Sequence, residues 1–268
     1  MIYAGYLLEV ITQNEVFYLK KRVLSLMLAV MILLLSAAMI PAGAFTVEKD
    51  GKQYTFVSHT PTTGDCKVLM IRVGFEDYPV DDEIYNADSE ETLLSYFDGS
   101  DGSVNAFYEA SSYGKLRLSC DEVFTYTFPG SRDECSANRL PELALGALES
   151  EIDFDSYDSN DDGYLDFVAF DFAGPATGWG TDWWSHVTTS DVSGIGGKSV
   201  DHYSVLRGKA TVFIHEFGHI LGAPDYYSYH DGQPSAIMTY DLMNNNTGDH
   251  EALPSGSTAG LTTTISPM

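Results

Sequence analysis

The sequence predicts an α/β fold built on a mixed, twisted sheet. Three observations carry this expectation. Two apolar runs of strand length, residues 67–75 and 164–172, lie far apart in the chain. Helix-starting signals fall between them, so strand and helix patterns alternate as in a sheet covered by helices. A late segment, residues 212–221, is apolar on every side except at two histidines and a glutamate, which is the composition of a buried helix.

The elements follow in order. Residues 67–75 (KVLMIRVGF) form a buried strand. Asp88 followed by Glu91 is a capping-box-like start for a short helix through Phe97. Ser103 caps a second helix that ends near Ser112, before Gly114. Leu116, Leu118 and Cys120 alternate with polar residues, the period of a half-buried strand. Pro141 suits the first turn of a helix whose Leu145, Leu148 and Ile152 share one face. Residues 164–172 (YLDFVAFDF) are the second buried strand. With no repeat and no long linker, residues 64–250 are expected to be one unit.

The chain carries 39 acidic against 14 basic residues, a formal charge of −25. That balance argues against binding nucleic acid or anionic lipid through a basic surface, and it suits a protein that holds divalent cations. Lys20, Lys21 and Arg22 precede an apolar run over 23–35, and Ala42-Gly43-Ala44 follows. This is the order of a secretory signal, with cleavage expected after Ala44 and a secreted product without stable membrane association. The first eighteen residues are unusual for a signal, and a start at Val16 or Leu19 is the expected explanation. Residues 45–63 read as a short linker or pro-segment remnant. Cys66, Cys120 and Cys135 allow at most one bridge, with Cys120–Cys135 the shortest loop and buried free thiols the alternative.

The late helix carries the chemistry. His215 and His219 are four residues apart, so both imidazoles project from one helical face and can grip one Zn²⁺. Glu216 neighbours the first ligand, where a carboxylate reaches a reacting water rather than the metal. Gly222 can take a left-handed conformation and end the helix, and Pro224 forbids its continuation. The chain can then turn and bring Asp225 back as a third ligand. Three protein ligands leave one position open, the catalytic rather than the structural pattern. An HExxH alone arises by chance in roughly one such chain per hundred, and the added Gly and Asp lower that to about one in ten thousand.

The stretch HEFGHILGAPDYY, followed by Asp241-Leu242-Met243, resembles the immune inhibitor A family of secreted zinc metalloproteases, relatives of the metzincins. VGFEDYP at 73–79, FYEASSYGKLRLS at 107–119, the acidic loop at 158–166 and Trp184-Ser185-His186 are similar to the same family. The resemblance implies an α+β zincin with a buried active-site helix and a small irregular C-terminal subdomain. It also implies that Met243 is the Met-turn residue beneath the zinc. Members of that family carry a long propeptide and continue past the Met-turn, so the chain is expected to be truncated.

Asp158, Asn160, Asp162, Tyr164 and Asp166 have the D-x-N-x-D-G-x-x-D spacing of a calcium loop, with Gly163 at the sharp turn. Residue 169 is Ala rather than a bidentate Glu, and a strand follows instead of a helix. It is therefore not a full EF-hand, and a modest affinity for Ca²⁺ is expected. A solvated Asn/Asp/Gly turn is the alternative.

The expected function is a secreted zinc endopeptidase acting on protein or peptide substrates. Glu216 serves as general base, and Tyr226, Tyr227, Tyr240 and His202 all remain candidates for a second oxyanion donor. The alternatives are a calcium-stabilised cell-surface binding module with an inert metal site, or an inactive fragment of such a peptidase. Residues 251–268 lack helical period and large apolar residues. Their codons, read two nucleotides later, can spell Ser-Ala-Ser-Lys-Trp-Leu-Tyr-Gly-Trp. That resembles the Ser-Lys-Trp…Gly-Trp stretch of the family, so a frameshift near His250 is expected.

Overall fold

The computed structural model describes residues 45–49, 52–56, 58–81, 84, 86–178, 180–226 and 242–244. The expected signal segment 1–44 and tail 251–268 lie outside the described residues, as do Tyr227 and Tyr240. In chain order the elements are β1 (Phe45–Lys49), β2 (Lys52–Phe56), β3 (Gly64–Gly74), α1 (Glu90–Ser95), α2 (Val104–Ser111), β4 (Leu116–Ser119) and β5 (Val123–Thr127). They continue with β6 (Phe167–Phe172), β7 (His186–Thr189), β8 (Ser193–Ile195), β9 (Lys198–Ser199), β10 (His202–Leu206) and α3 (Ala210–Ile220).

The long strand β3 is the spine of a six-stranded sheet. Its first half pairs with β4 and its second half with β5, while β6 runs along its other side. β6 in turn pairs with β10, and all these pairings are parallel. Only β7 is antiparallel, against β10. The sheet is thus mixed, as the sequence predicts, and mostly parallel. Separate two-stranded ribbons form from β1–β2 and β8–β9.

Alternation along β3 divides the core in two. Leu69, Ile71 and Val73 enter one cluster with Leu140, Leu145, Leu148 and Ile152. Cys66, Val68 and Met70 enter the other, with Phe213, Ile214, Phe217 and Ile220 of α3 and Val104 and Tyr108 of α2. All six residues of β6 are buried, because helices cover both faces of the sheet. Among the described residues no helix is long and apolar enough to cross a membrane.

Some local expectations shift. Ser89, not Asp88, caps α1: its Oγ accepts from the Thr92 N–H at 3.1 Å. The Asp88 N–H is instead given to the buried Asp171 at 2.6 Å. A helix starts at Pro141 as expected, with π-type hydrogen bonding over Pro141–Leu145, but it ends before Leu148 and Ile152, which join Leu145 in the core from the turn and coil that follow. The second buried strand starts at Phe167 rather than Tyr164, because residues 164–166 close the acidic loop. All three cysteines are free and buried. Cys120 and Cys135 lie in different core clusters, so the shortest-loop bridge does not form.

A polar network fixes the turn that launches α3. Tyr96 donates its hydroxyl to Asp88 Oδ2 at 3.0 Å and the Gly208 carbonyl at 3.1 Å. Arg207 donates to the carbonyls of Phe172 and Asn86, and its N–H goes to Ser185 Oγ. Arg72 donates from Nε to the Asp88 carbonyl at 2.7 Å. At the centre, burial pushes the Asp171 carboxyl up to about 8, with Asp88 adding and the Asp88 N–H and two arginines opposing.

Candidate metal centre

Helix α3 exists because its apolar residues need a core. Phe213, Ile214, Phe217 and Ile220 are at most 2% exposed. That orientation leaves His215 and His219 side by side, ring centroids 4.8 Å apart and planes perpendicular. Gly222 then adopts φ +90°. Its N–H reaches the His219 carbonyl and the Ala223 N–H the Gly218 carbonyl, both at 2.9 Å. This pair of bonds is a Schellman stop, which the expected left-handed glycine makes possible.

The reversal carries Asp225 back to the histidines. Its Oδ1 lies 3.2 Å from His215 Nε2 and 3.3 Å from His219 Nε2. The other ring nitrogens face backbone carbonyls: His215 Nδ1 meets Leu242 O at 2.9 Å, and His219 Nδ1 meets Ala223 O at 2.8 Å. A proton held on each Nδ1 presents each Nε2 lone pair towards Asp225, the arrangement that orients metal-ligating histidines. A tetrahedral ion with bonds of about 2.0–2.1 Å sets its ligand atoms about 3.3–3.4 Å apart. The observed separations fit that ion, so the three residues suit a small divalent cation such as Zn²⁺.

Glu216 lies beside this cluster and is only 5% exposed. Ligand atoms of His215, Glu216 and His219 lie within 4.8 Å of one another. Burial pushes the Glu216 carboxyl up to about 7, opposed by the two histidines and assisted by Asp225. Burial alone lowers both imidazoles. Contact with Asp225, the carbonyls and the Glu216 charge outweigh it, and both end above their usual value.

Met243 forms the floor. It is 4% exposed, and its carbonyl accepts the Tyr226 N–H at 2.8 Å. A Cβ placed on Gly218 would stand 2.8 Å from Met243 Sδ and 3.7 Å from Tyr108 Oη. The bare glycine is therefore what lets the sulfur sit against the helix between the two histidine positions. Sequence reasoning missed Tyr108 and the Leu242 and Ala223 carbonyls. Carbonyls leave no signature in side-chain identity, and a buried tyrosine looks like any other core aromatic.

The acidic loop is separate. Asp158 accepts N–H bonds from Asp162 and Gly163, at 3.0 and 2.9 Å. Lys198 places its ammonium 2.8 Å from Asp158 and 2.9 Å from Asp155. Burial works to raise the Asp158 carboxyl, but Lys198 and the two N–H groups hold it below its usual range. Asn160 accepts from the Asp162 N–H at 3.3 Å. Asp162 accepts from the Tyr164 N–H and faces His59 Nδ1, each at 3.0 Å. Asp166 accepts from the Ser159 N–H at 2.9 Å, while its Oδ1 is buried without a hydrogen-bond partner. Burial, with Asp158 and Asp162, pushes the Asp166 carboxyl up to about 6. His59 stacks on Tyr164 with centroids 3.5 Å apart. Of the five loop residues, only Asp158 pairs with the lysine ammonium, while the others are tied into the loop by the hydrogen bonds above.

Of the oxyanion candidates, Tyr226 follows Asp225 directly and pairs with Met243 through its backbone. His202 begins β10, its Nδ1 3.0 Å from Asp201 Oδ2. The chain matches no protein-family model and no curated protein.

Proposed function

We propose that this chain is a zinc-dependent endopeptidase, in keeping with its resemblance to the immune inhibitor A family. The observation that carries the reading is the convergence of His215 Nε2, His219 Nε2 and Asp225 Oδ1 beside a buried Glu216. His215, His219 and Asp225 would hold the metal. When bound, zinc supplies Lewis acidity to a scissile carbonyl and makes water a better acid.

The chain's own groups do the rest. Glu216 takes a proton from the water that attacks the carbonyl carbon. It then delivers that proton to the amide nitrogen as the C–N bond breaks, so one water is consumed and one amine and one acid leave. A carboxyl displaced towards neutrality can perform both transfers near pH 7. The backbone bonds at His215 Nδ1 and His219 Nδ1 fix the imidazoles. Beside α3, β7 is the last strand of the sheet among the described residues, and Val187 packs into the α3 core. Its outer edge can pair with the main chain of an extended peptide. The acidic loop supports a weaker, structural Ca²⁺ site in which the metal would displace the Lys198 ammonium. Secretion, from the signal-like segment 20–44, completes the reading.

The test is metal content and proteolysis measured on one preparation. Purified protein should contain about one zinc per chain and cleave a denatured protein substrate in a chelator-sensitive way. Glu216→Gln should keep the zinc and lose activity by about 10³-fold or more. Near-normal turnover of that variant refutes the general-base role.

A further inference from the structure

We propose that Tyr108 is a positioning residue for the metal helix, holding the His215–His219 segment in register through the helix backbone at Ile214. The proposal rests on the metallopeptidase reading above and deepens it. Tyr108 belongs to α2, and it is 2% exposed. Its hydroxyl donates to the Ile214 carbonyl at 2.6 Å. In an α-helix that carbonyl already accepts the Gly218 N–H, so it takes two donors. The Ile214 peptide unit also contains the His215 N–H.

Two further contacts localise the effect. Ile214 and Gly218 are one turn apart and directly precede the two histidines. The hydroxyl lies 3.7 Å from where a Gly218 Cβ would stand, and Met243 Sδ fills the adjoining position. One hydroxyl and one sulfur therefore press the same bare strip of α3. The ring is held independently, packed edge-on to Phe107 at 5.2 Å inside the α2–α3 core. Removing the hydroxyl should leave the ring in place and free only the helix backbone to shift. Ligand precision of this kind depends on supporting contacts of a few tenths of an ångström.

A matched control separates positioning from ordinary stability. Tyr203 is also fully buried, and its hydroxyl also donates to a backbone carbonyl, Ala137 at 3.2 Å. It belongs to the cluster on the other face of the sheet. The experiment compares Tyr108→Phe and Tyr203→Phe in the cobalt-substituted and zinc-loaded protein. Both should lower Tm by a similar few degrees. Tyr108→Phe alone should alter the visible cobalt bands and lower kcat about tenfold with KM little changed. It alone should also raise amide exchange over residues 214–218 of the metal-free protein. Unaltered cobalt bands, kcat and exchange in Tyr108→Phe, with Tm alone reduced, overturn the proposal. Failure of the metallopeptidase reading looks different: the unmutated protein then binds no cobalt, or binds it and cleaves nothing. The exchange comparison decides the helix contact in that case, since unchanged exchange overturns it and selective exchange upholds it.

Discussion

Gly218→Ala sets two known effects against each other at one atom. In an exposed helix, alanine in place of glycine stabilises by about 1 kcal/mol. Here the new methyl would stand 2.8 Å from Met243 Sδ and 3.4 Å from its Cε. Carbon and sulfur need about 3.5–4.0 Å, so the thioether must retreat by roughly 1 Å. Met243 is 4% exposed and has little room, and overpacking of this kind costs about 1–3 kcal/mol. The expected net is a destabilisation of about 0–2 kcal/mol. The backbone consequence matters more. Met243 follows Leu242, whose carbonyl meets His215 Nδ1 at 2.9 Å. A displaced residue 243 loosens that bond, and losing such a support costs about 10–100-fold in metal affinity. The assay is urea unfolding of the metal-free protein together with a zinc competition titration. A double-mutant cycle with Met243→Ala should show coupling of about 1 kcal/mol, since the smaller side chain makes room for the methyl. A Gly218→Ala variant more stable by about 1 kcal/mol with unchanged zinc affinity would refute the argument.

Asp225→Ala should weaken zinc binding more than His230→Ala or Asp231→Ala, measured by competition with a chromogenic chelator; intact affinity in Asp225→Ala would move the third ligand elsewhere. Millimolar calcium should raise the Tm of the zinc-loaded protein by mass action, and Asp158→Ala with Asp162→Ala should abolish the rise. Because Lys198 occupies Asp158, Lys198→Ala should enlarge the calcium response; no calcium shift in either protein makes the loop a turn neutralised by lysine. Asp171 binds its proton more tightly in the folded chain, about 8 against an unfolded value near 3.9. Its contribution to stability is therefore full at acid pH and is lost as pH rises towards 8. Asp171→Asn should make stability flatter by at least ~1 kcal/mol between pH 5 and 8 in urea titrations, and an unchanged slope would count against a buried, protonated Asp171.

Much of this was legible in the sequence because the information is local. The candidate metal site runs from His215 to Asp225, and each step has its own signal: helical spacing, a glycine stop, a proline that prevents continuation. β3 and β6 are legible for the same reason, as apolar runs interrupted only by Arg72 after Val68 and by Asp171. Ser89 was overlooked because Asp88 and Ser89 are both good caps, and only the tertiary bond from the Asp88 N–H to Asp171 decides between them. Strands β7 to β10 are short and carry polar residues, and their identity comes from pairing, β10 with β6, β7 with β10 and β8 with β9, rather than from their own pattern. Lys198 is forty residues from Asp158, and no periodicity connects them. Tyr108 is written as one aromatic among many, and its use depends on the depth at which α2 meets α3.

The three thiols give the fold an asymmetric relation to oxidants. Burial pushes Cys66 and Cys135 up to about 11 and Cys120 up to about 12, so almost no thiolate exists at neutral pH. Cys120 and Cys135 also lie in separate core clusters, and no small rearrangement brings them together. The folded chain's thiols are thus poor nucleophiles, and the Cys120–Cys135 pair is kept apart. An unfolded chain has no such protection: its thiols return to their ordinary acidity and meet freely, and a bridge from Cys135 to either of the others ties together segments that belong to different core clusters. Oxidation then works as a one-way gate, harmless after folding and trapping before it. Recovery from denaturant should depend on reductant during the refolding step and become independent of it once the sheet has closed.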